Sequence, residues 1–299
     1  MIMAFPRNHF AAQAFQVPVT QNGGMRPITK HVTGMRDQFV SSVSHLNGSQ
    51  FALCLLDGTS CLEESVVSAM HIGLEDMPIL GGSAGDGLRF DKTELVLNGD
   101  ILDDAAILIL VKSNLPLEIF KTDNFVAGRE KLVVTKSDPG RRIVHEFNAA
   151  PAAIVYAEAI GVDPGQLTPH SFASHPVVMK VGGDYYCRSI QKVNPDNSLS
   201  FFCAIDDGIV LTAAEQTGMA RTTQRVLADI DARLNGLDFV MGFDCVLRRI
   251  DARNRQITNR MSEVYREARL IGFNTYGEQF HSMHLNQTLT GVAFGKPAA

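Results

Sequence analysis

The chain has 299 residues, of which 45% are hydrophobic and 20% are charged, and its formal net charge is −5 at pH 7. This composition is typical of a folded globular protein, because disordered chains contain fewer hydrophobic residues. The length allows two ordinary domains, since domains commonly have about 100–200 residues. The negative net charge argues against a general nucleic-acid-binding function, which needs a basic surface.

No apolar run reaches the length of a membrane-spanning helix. The most apolar segment, residues 105–111, is far shorter than the roughly 20 residues that cross a bilayer. The N-terminus lacks the pattern of a secretory signal, and the five cysteines form no C-x-x-C pair. We therefore expect a cytoplasmic protein with free thiols and with neither a nucleic-acid nor a membrane partner.

In the first half of the chain, the hydrophobic pattern predicts strands flanked by helices. An amphipathic helix is expected over residues 27–46 and a buried strand over residues 50–56. Ser60 and Glu63 have capping-box spacing, which predicts a helix over residues 63–72. Further strands are expected at residues 94–97, 105–111, 117–122 and 131–135.

The second half begins where this strand-rich region gives way to an alanine-rich helix candidate, near residues 147–151. Two longer helices are expected over residues 222–234 and 248–270, with Gly272 ending the second. Apolar strands are expected at residues 177–181, 198–204, 208–212 and 239–243.

These elements predict an α+β (mixed α/β) fold in two parts. We place the boundary between residues 1–147 and residues 148–299, with β-sheets flanked by helices in each part.

The densest group of polar residues lies near the C-terminus, in GFNTYGEQFHSMHLNQTLTGVAFG at residues 272–295. Many hydrogen-bonding side chains beside an apolar strand suggest a ligand site, and Tyr276, Glu278, Asn286 and Thr288 are its candidates. Asn286, Gln287 and Thr288 could equally satisfy the backbone of a turn through side-chain hydrogen bonds. Both interpretations remain open from the residues alone.

A second motif is GGSAGDG at residues 81–87. Glycines let a ligand approach the backbone, so Gly81, Gly82, Ser83 and Gly85 are candidate ligand-binding residues. The motif has neither the P-loop spacing nor the dinucleotide-binding spacing. Local chemistry favours the alternative, a tight turn between strands that needs positive φ angles.

A third group lies in TPHSFASHPVVMKVGGDYYCRSIQKVNPDN at residues 168–197, and it contains His170, His175, Arg188 and Pro195. A neutral imidazole can coordinate haem iron, and an arginine can pair with a propionate. The alternative is that these histidines are ordinary surface or core residues. An apolar wall for a porphyrin could come from Phe172, Val177, Val178, Phe201 and Phe202.

His281 and His284 form an H-x-x-H pair with Glu278 three residues earlier. On a helix this spacing would place both imidazoles on one face, as in a zinc or iron site. The nearby glycines and threonines disfavour a regular helix. His175, His281 and His284 are therefore rivals of His170 for any metal.

The C-terminal segment resembles the closing motif of FIST domains, the paired sensory modules of bacterial signalling proteins, in which a GE pair is followed by N-x-T. GGSAGDG and the later Asn98-Gly99 resemble the end of the N-terminal FIST half. GFDCVLRR at residues 242–249 resembles the nitric-oxide-sensing branch (NosP) in particular. In that branch a histidine, an arginine and a proline mark the haem-binding region; Arg188 and Pro195 match its spacing, and His170 is one residue off.

This resemblance implies a cytoplasmic bacterial sensor that binds haem through His170, Arg188 and Pro195 and responds to nitric oxide. Its partner would be a histidine kinase or a cyclic-di-GMP enzyme. The sequence itself has no H-E-x-x-H or kinase-loop motif, so we expect no catalytic residue and no enzyme activity. The alternative is a FIST module without haem that binds another small molecule, such as an amino acid. FIST N-terminal halves usually begin with a unit ending in GC-T-x-x-GE, which this sequence lacks, so we expect that half to be incomplete at its start.

Overall fold

The fold was obtained as a computed structural model, which describes residues 3–19, 24–89, 91–102 and 104–297. Helix makes up 29% and strand 41% of the structure, which confirms the predicted mixed α+β class. All five cysteines are free thiols, as expected. None of the helices in the described ranges has the length and apolar character needed to cross a bilayer.

The elements of the first half are bounded as follows: β1 (Phe10–Pro18), α1 (Met25–Ser42), β2 (Ser49–Asp57), α2 (Glu63–Leu74), β3 (Ile79–Ala84), β4 (Leu95–Leu97), β5 (Asp100–Leu102), β6 (Ala105–Ser113), β7 (Leu117–Thr122), β8 (Phe125–Asp138) and β9 (Ile143–Phe147). A short 3-10 turn, Pro139–Arg141, joins β8 to β9.

The elements of the second half are β10 (Ala150–Pro151), α3 (Ala152–Ile160), α4 (Pro169–Ser174), β11 (Val177–Val181), β12 (Asp184–Arg188), β13 (Ile190–Val193), β14 (Leu199–Phe201), β15 (Val210–Gln216), α5 (Met219–Arg233), β16 (Leu237–Cys245), α6 (Val246–Asn254), α7 (Thr258–Glu267), β17 (Leu270–Thr275), β18 (Glu278–Phe280), β19 (Met283–Leu285) and β20 (Leu289–Gly295).

Three larger sheets each combine strands from both sides of residue 147. The first has the order β1-β6-β2-β3-β18-β19, and the third has the order β17-β16-β20-β7. The second has the order β12-β11-β15-β8-β9-β14-β13, with β10 paired to β9. Strand pairing therefore interleaves the two halves of the chain, and the boundary at residue 147 stays a prediction.

The first and third sheets stack face to face. In β2, Ala52 and Cys54 point toward α1 and α2, whereas Phe51 and Leu53 pack against the third sheet, because successive side chains of a strand alternate between its faces. Helices α5 and α7 cover the other face of the third sheet. The result is a helix–sheet–sheet–helix sandwich.

The second sheet must be strongly curved. Strands β12 and β13 are its two edges, yet only Ser189 separates them in the chain. The two edges therefore approach each other. Helix α3 packs against this sheet through Ala152, Ala153 and Tyr156, which belong to the same hydrophobic cluster as Phe147.

Several predicted elements need correction. The helix expected over residues 248–270 is two helices, because Gln256 adopts φ 58° and the Ile257 amide donates to the Ala252 carbonyl, which ends α6 in a left-handed turn. Gly272 does not end a helix but lies within β17. Ser60 is not a helix cap: α2 has no side-chain cap, and the Ser60 hydroxyl instead donates to the Asp57 carbonyl.

Candidate functional site

Pairing of β3 with β18 joins the two motifs singled out in the sequence. Gly82 lies opposite Glu278, and Gly81 lies opposite Gln279. Beyond these pairs the Ser83 amide donates to the Gly277 carbonyl at 2.8 Å. The glycine motif is therefore not a tight turn at its start, because Gly81, Gly82 and Ser83 are strand residues. Within the motif only Gly87, in the part that follows β3, has a positive φ.

The glycines of this motif are explained by close approach rather than by turn geometry. A methyl group at Gly81 would lie 1.9 Å from the Cys54 carbonyl oxygen, and one at Gly82 would lie 2.3 Å from Thr275 Cγ2. At Gly85 it would lie 2.7 Å from the ring of Tyr276. A side chain at these positions would push apart β2, β3 and the segment before β18.

Tyr276 closes the end of the glycine motif. Its hydroxyl accepts hydrogen bonds from the Asp86 amide at 3.2 Å and from the Leu88 amide at 2.9 Å, and it donates to the Asp86 carboxylate. The side chain is buried. Tyr276 thus fixes the conformation of residues 85–88.

Glu278 is completely buried and ties β18 to the segment before β20. Its carboxyl group accepts from Thr275 Oγ1 at 2.5 Å, and from the Thr288 hydroxyl at 2.7 Å and amide at 3.2 Å. Burial raises the pKa of the Glu278 carboxyl to about 8, although these hydrogen bonds act in the opposite direction. Asn286 donates from Nδ2 to the Tyr276 carbonyl at 3.3 Å, and its Oδ1 has no described partner.

On the opposite face of β18, Gln279 joins Ser83 to His284. Gln279 Nε2 donates to Ser83 Oγ at 2.9 Å and to His284 Nδ1 at 3.1 Å. The His284 proton is thereby assigned to Nε2. Burial lowers the pKa of His284, so the ring is neutral at pH 7. Among the described residues, His284 Nε2 and Gln279 Oε1 have no hydrogen-bond partner although both are buried. We call Ser83, Glu278, Gln279, His284, Asn286 and Thr288 the buried polar cluster.

Charged side chains surround His284. Arg142 Nη2 pairs with Glu63 at 2.6 Å and with Glu64, and Arg142 Nη1 donates to the Phe202 carbonyl at 2.8 Å. Burial raises the pKa of Glu64, but the Arg142 guanidinium and the hydrogen bond from the Ala204 amide oppose it, and the net pKa is lowered. The Glu64 side chain, 34% exposed, is the open edge of this group.

Arg188 lies at the end of β12, half-buried, and donates from Nη1 to the His284 carbonyl at 3.2 Å. It forms no ion pair with any carboxylate in the described part of the chain. The structure therefore brings Arg188 to the buried polar cluster, together with both sequence motifs. A half-buried guanidinium with spare donors is suited to binding an anion.

The other residues of the histidine–arginine–proline pattern lie elsewhere. His170 is exposed on α4, with Nδ1 2.5 Å from Asn254 Oδ1. Pro195 is exposed in the turn after β13, at the far end of that strand from Arg188. His175 Nδ1 faces the Ser171 carbonyl at 3.3 Å.

His281 and His284 do not share a helix face, because the segment is a hairpin. His281 lies in the turn between β18 and β19 with φ 53°, and His284 lies in β19. Burial lowers the pKa of His281, and His71 adds to the effect. Within the described ranges, no group of three or more His, Cys, Asp or Glu side chains could hold a metal ion.

The residues expected to enclose a haem fit that group only in part. His170 has the chemistry of an axial ligand, because a metal-binding histidine commonly has its second ring nitrogen held by an acceptor such as Asn254. The apolar wall does not fit. Phe172, Val177 and Phe201 are buried together in the core of the second sheet, and they do not border an open slot.

The family models match the chain over almost its whole length. Residues 1–150 match the FIST N domain, and residues 152–281 match the FIST C domain. The chain belongs to the FIST family. FIST domains are sensor modules of signal transduction that bind small ligands and signal to partner proteins. No curated protein matches this FIST chain by sequence.

Sequence reasoning missed several residues of this region. Gln279 is inside the C-terminal motif, and strand alternation places it on the face of His284, so a hairpin prediction would have found it. Glu63 and Glu64 are neighbours in α2, Arg142 lies 79 residues after Glu63, and all three are distant in sequence from the C-terminal motif. Only tertiary packing brings them together, and no local pattern predicts that packing.

Proposed function

We propose that the chain is a FIST sensor for a small carboxylate-bearing ligand, with an amino acid as the simplest candidate. The observation that supports this proposal is Arg188, a half-buried guanidinium without a carboxylate partner among the described residues, held against His284 beside unpaired buried donors and acceptors. Arg188 would pair with the ligand carboxylate through two hydrogen bonds. Glu64, at the open edge, would attract the ligand's ammonium group.

The proposal can be tested by thermal unfolding with the twenty common L-amino acids, the matching α-keto acids and simple amines. A ligand that binds only the folded state raises the free energy of unfolding by RT ln(1 + L/Kd), where L is the free ligand concentration, so Tm rises with that concentration. Arg188→Gln should weaken binding of carboxylate ligands by about tenfold or more. The control is Arg129→Gln, which removes an exposed arginine from β8 and should leave binding unchanged.

Two outcomes would overturn this proposal. Unchanged affinity of Arg188→Gln for carboxylate ligands would show that Arg188 does not anchor the carboxylate. The absence of any Tm shift that depends on a carboxylate would show that the ligand is not a carboxylate. α-Keto acids have the carboxylate but lack the ammonium group. If they bind as tightly as amino acids, the carboxylate site is supported and Glu64 is excluded as the partner of the ammonium group.

A second candidate is a haem-dependent response to nitric oxide, favoured by the contact between His170 and Asn254. When bound, haem would supply a ferrous iron that coordinates nitric oxide. His170 would present Nε2 as the donor atom, while Asn254 would fix the ring orientation. Arg188 and Pro195 would belong to the same region by family resemblance.

An absorption spectrum of the chain reconstituted with ferric haem tests this candidate. A stoichiometric Soret band that shifts on reduction and again with nitric oxide would support it. His170→Ala should abolish the band, whereas His31→Ala, an exposed histidine on α1, should retain it. A specific band retained in His170→Ala would exclude His170 as the haem ligand, and His175, His281 and His284 would then be substituted in turn.

The signalling partner proposed for either ligand is a histidine kinase or a cyclic-di-GMP enzyme, in a bacterial cytoplasm. The support for this step is membership of a sensor family that signals to other proteins. Kinase or cyclase assays with and without the FIST chain would test it directly. A ligand-dependent change in rate would support regulation, and an unchanged rate with every candidate enzyme would contradict it.

A further inference from the structure

A second polar surface lies at the start of α5, outside the buried polar cluster. A cleft of about 560 Å³ lies between the β7–β8 turn and the first turns of α5. One wall of the cleft includes Val126, which is half exposed and lies just after the β7–β8 turn. The other wall includes Arg221 and Arg225 of α5. Because the arginines are four residues apart, their side chains share one face of α5. The cleft is a groove with one basic wall.

This basic wall has no neutralising partner. Neither Arg221 nor Arg225 forms an ion pair with any residue that the structure describes. The carboxylate of Asp123, also in the lining, is paired with Lys121 Nζ at 3.1 Å. The first turn of α5 contains no acidic residue, and a helix N-terminus adds partial positive charge. The positive charge is local, because the whole chain carries −5.

The two walls of the cleft are fixed relative to each other. The Thr217 amide donates to the Asn124 carbonyl at 2.6 Å. Below the cleft, the fully buried Arg248 donates to Asn124 Oδ1 at 2.7 Å and to Thr223 Oγ1 at 3.1 Å. A surface that is already ordered loses little conformational entropy on binding. The backbone framework of the cleft is therefore preorganised.

Hydrogen bonds lead from this floor to Gln287, which neighbours the buried polar cluster in the chain. Asn124 Nδ2 donates to Gln216 Oε1 at 2.6 Å, and Gln216 Nε2 donates to Gln287 Oε1 at 3.3 Å. Gln287 stands in the chain between Asn286 and Thr288, two members of the cluster. The floor of the cleft is thus linked to the proposed ligand site by two hydrogen bonds and then by the backbone at Gln287.

We propose that the cleft at the start of α5 binds an extended acidic segment of a partner protein. Residues four apart on a helix are separated by about 6 Å along its axis, and alternate residues of an extended peptide are separated by about 6.6 Å. Carboxylates at alternate positions of such a segment can therefore pair with Arg221 and Arg225 together. The apolar surface of Val126 then contacts the peptide between them.

Fluorescence anisotropy with a fluorescein-labelled hepta-glutamate peptide and the full chain tests this proposal. Wild type should bind the peptide with an affinity that falls as salt increases. The double charge reversal Arg221→Glu with Arg225→Glu should weaken binding by about tenfold or more. Both arginines are exposed, and Arg221 lies in the first turn of α5, where a carboxylate is favourable, so this variant should remain folded.

The matched control reverses Arg249 and Arg253 on α6, which are also exposed and four residues apart. This control should bind the peptide as wild type does. Equal losses in both double variants would show a general charge effect and overturn the site. Absence of peptide binding in wild type would also overturn it. The site would be overturned as well if inorganic phosphate, compared at equal total charge, displaced the labelled peptide as effectively as unlabelled hepta-glutamate does. These readouts need no sensed ligand, so failure of the proposed sensor function would leave them interpretable.

Discussion

Glu278 shows how one buried group can make the stability of the whole protein depend on pH. Its carboxyl has no exposed surface, and it accepts hydrogen bonds from Thr275, at the end of β17, and from Thr288, just before β20. Burial raises its pKa to about 8, whereas a glutamate in the unfolded chain has a pKa of about 4.3. The folded protein therefore keeps a proton that the unfolded chain releases.

The sign of the pH dependence follows from this difference. The contribution of Glu278 is fully favourable below a pH of about 4 and is lost as the pH rises toward about 8, because unfolding then releases a proton. Glu278→Gln should remove this loss, so the variant should gain stability relative to wild type as the pH rises. Urea unfolding at several pH values between about 5 and 8 measures the difference.

The control for this prediction is Glu130→Gln, which changes an exposed glutamate on β8. Its free energy of unfolding should follow the wild-type pH dependence. A parallel pH dependence of wild type and Glu278→Gln would contradict the assignment of a retained proton to Glu278.

At the scale of elements, two glycines should respond in opposite directions to the same substitution. A methyl group at Gly81, in β3, would collide with the Cys54 carbonyl, whereas one at Gly34, in α1, would meet no atom within 4 Å. Gly81→Ala should destabilise the protein by about 1–3 kcal/mol or more. Gly34→Ala should stabilise it by about 0.5–1 kcal/mol, because alanine favours helix. Chemical denaturation of both variants measures this, and a tolerated Gly81→Ala would contradict the close packing of β2 against β3.

The elements that the sequence predicts best are those with strong local periodicity. The strand at residues 117–122 has the predicted bounds, and α1 has the predicted amphipathic character, since it buries Ile28, Val32, Met35 and Phe39. Errors arose where tertiary contacts decide the local conformation. Gly272 has the residue type of a helix end, yet it is needed in β17, where a methyl group would lie 1.7 Å from the Gly242 carbonyl oxygen.

In the candidate site, too, the features set by local sequence were predicted and those set by tertiary contacts were not. The sequence grouped Tyr276, Glu278, Asn286 and Thr288 because they are neighbours in the chain, and they lie close together in the structure. Their contact with the glycine motif depends on pairing between β3 and β18, which are about two hundred residues apart. Whether these residues bind a ligand stays a prediction, as do the haem roles of His170, Arg188 and Pro195.

At the scale of the whole molecule, one ion-pair group connects α2 to the second sheet. Arg142 follows the turn between β8 and β9, adopts φ 55°, and reaches Glu63 and Glu64 in the first turn of α2. Glu64 in turn accepts from the Ala204 amide at 2.9 Å. The helical layer on the first sheet and the second sheet have no described strand in common, and these buried charges join them.

The strength of this connection can be measured because removing one partner leaves a buried charge. Arg142→Met should destabilise the protein by about 3–5 kcal/mol, since Glu63 is 2% exposed and would lose the guanidinium. Adding Glu63→Leu should recover much of the loss, because a buried pair can be replaced by apolar groups at little cost. Urea unfolding of both single variants and the double variant forms a double-mutant cycle. If the losses of free energy of unfolding in the two single variants add up in the double variant, a direct pair is contradicted. If Arg142→Met alone unfolds in two separate steps, the pair is what makes the two sheets unfold together.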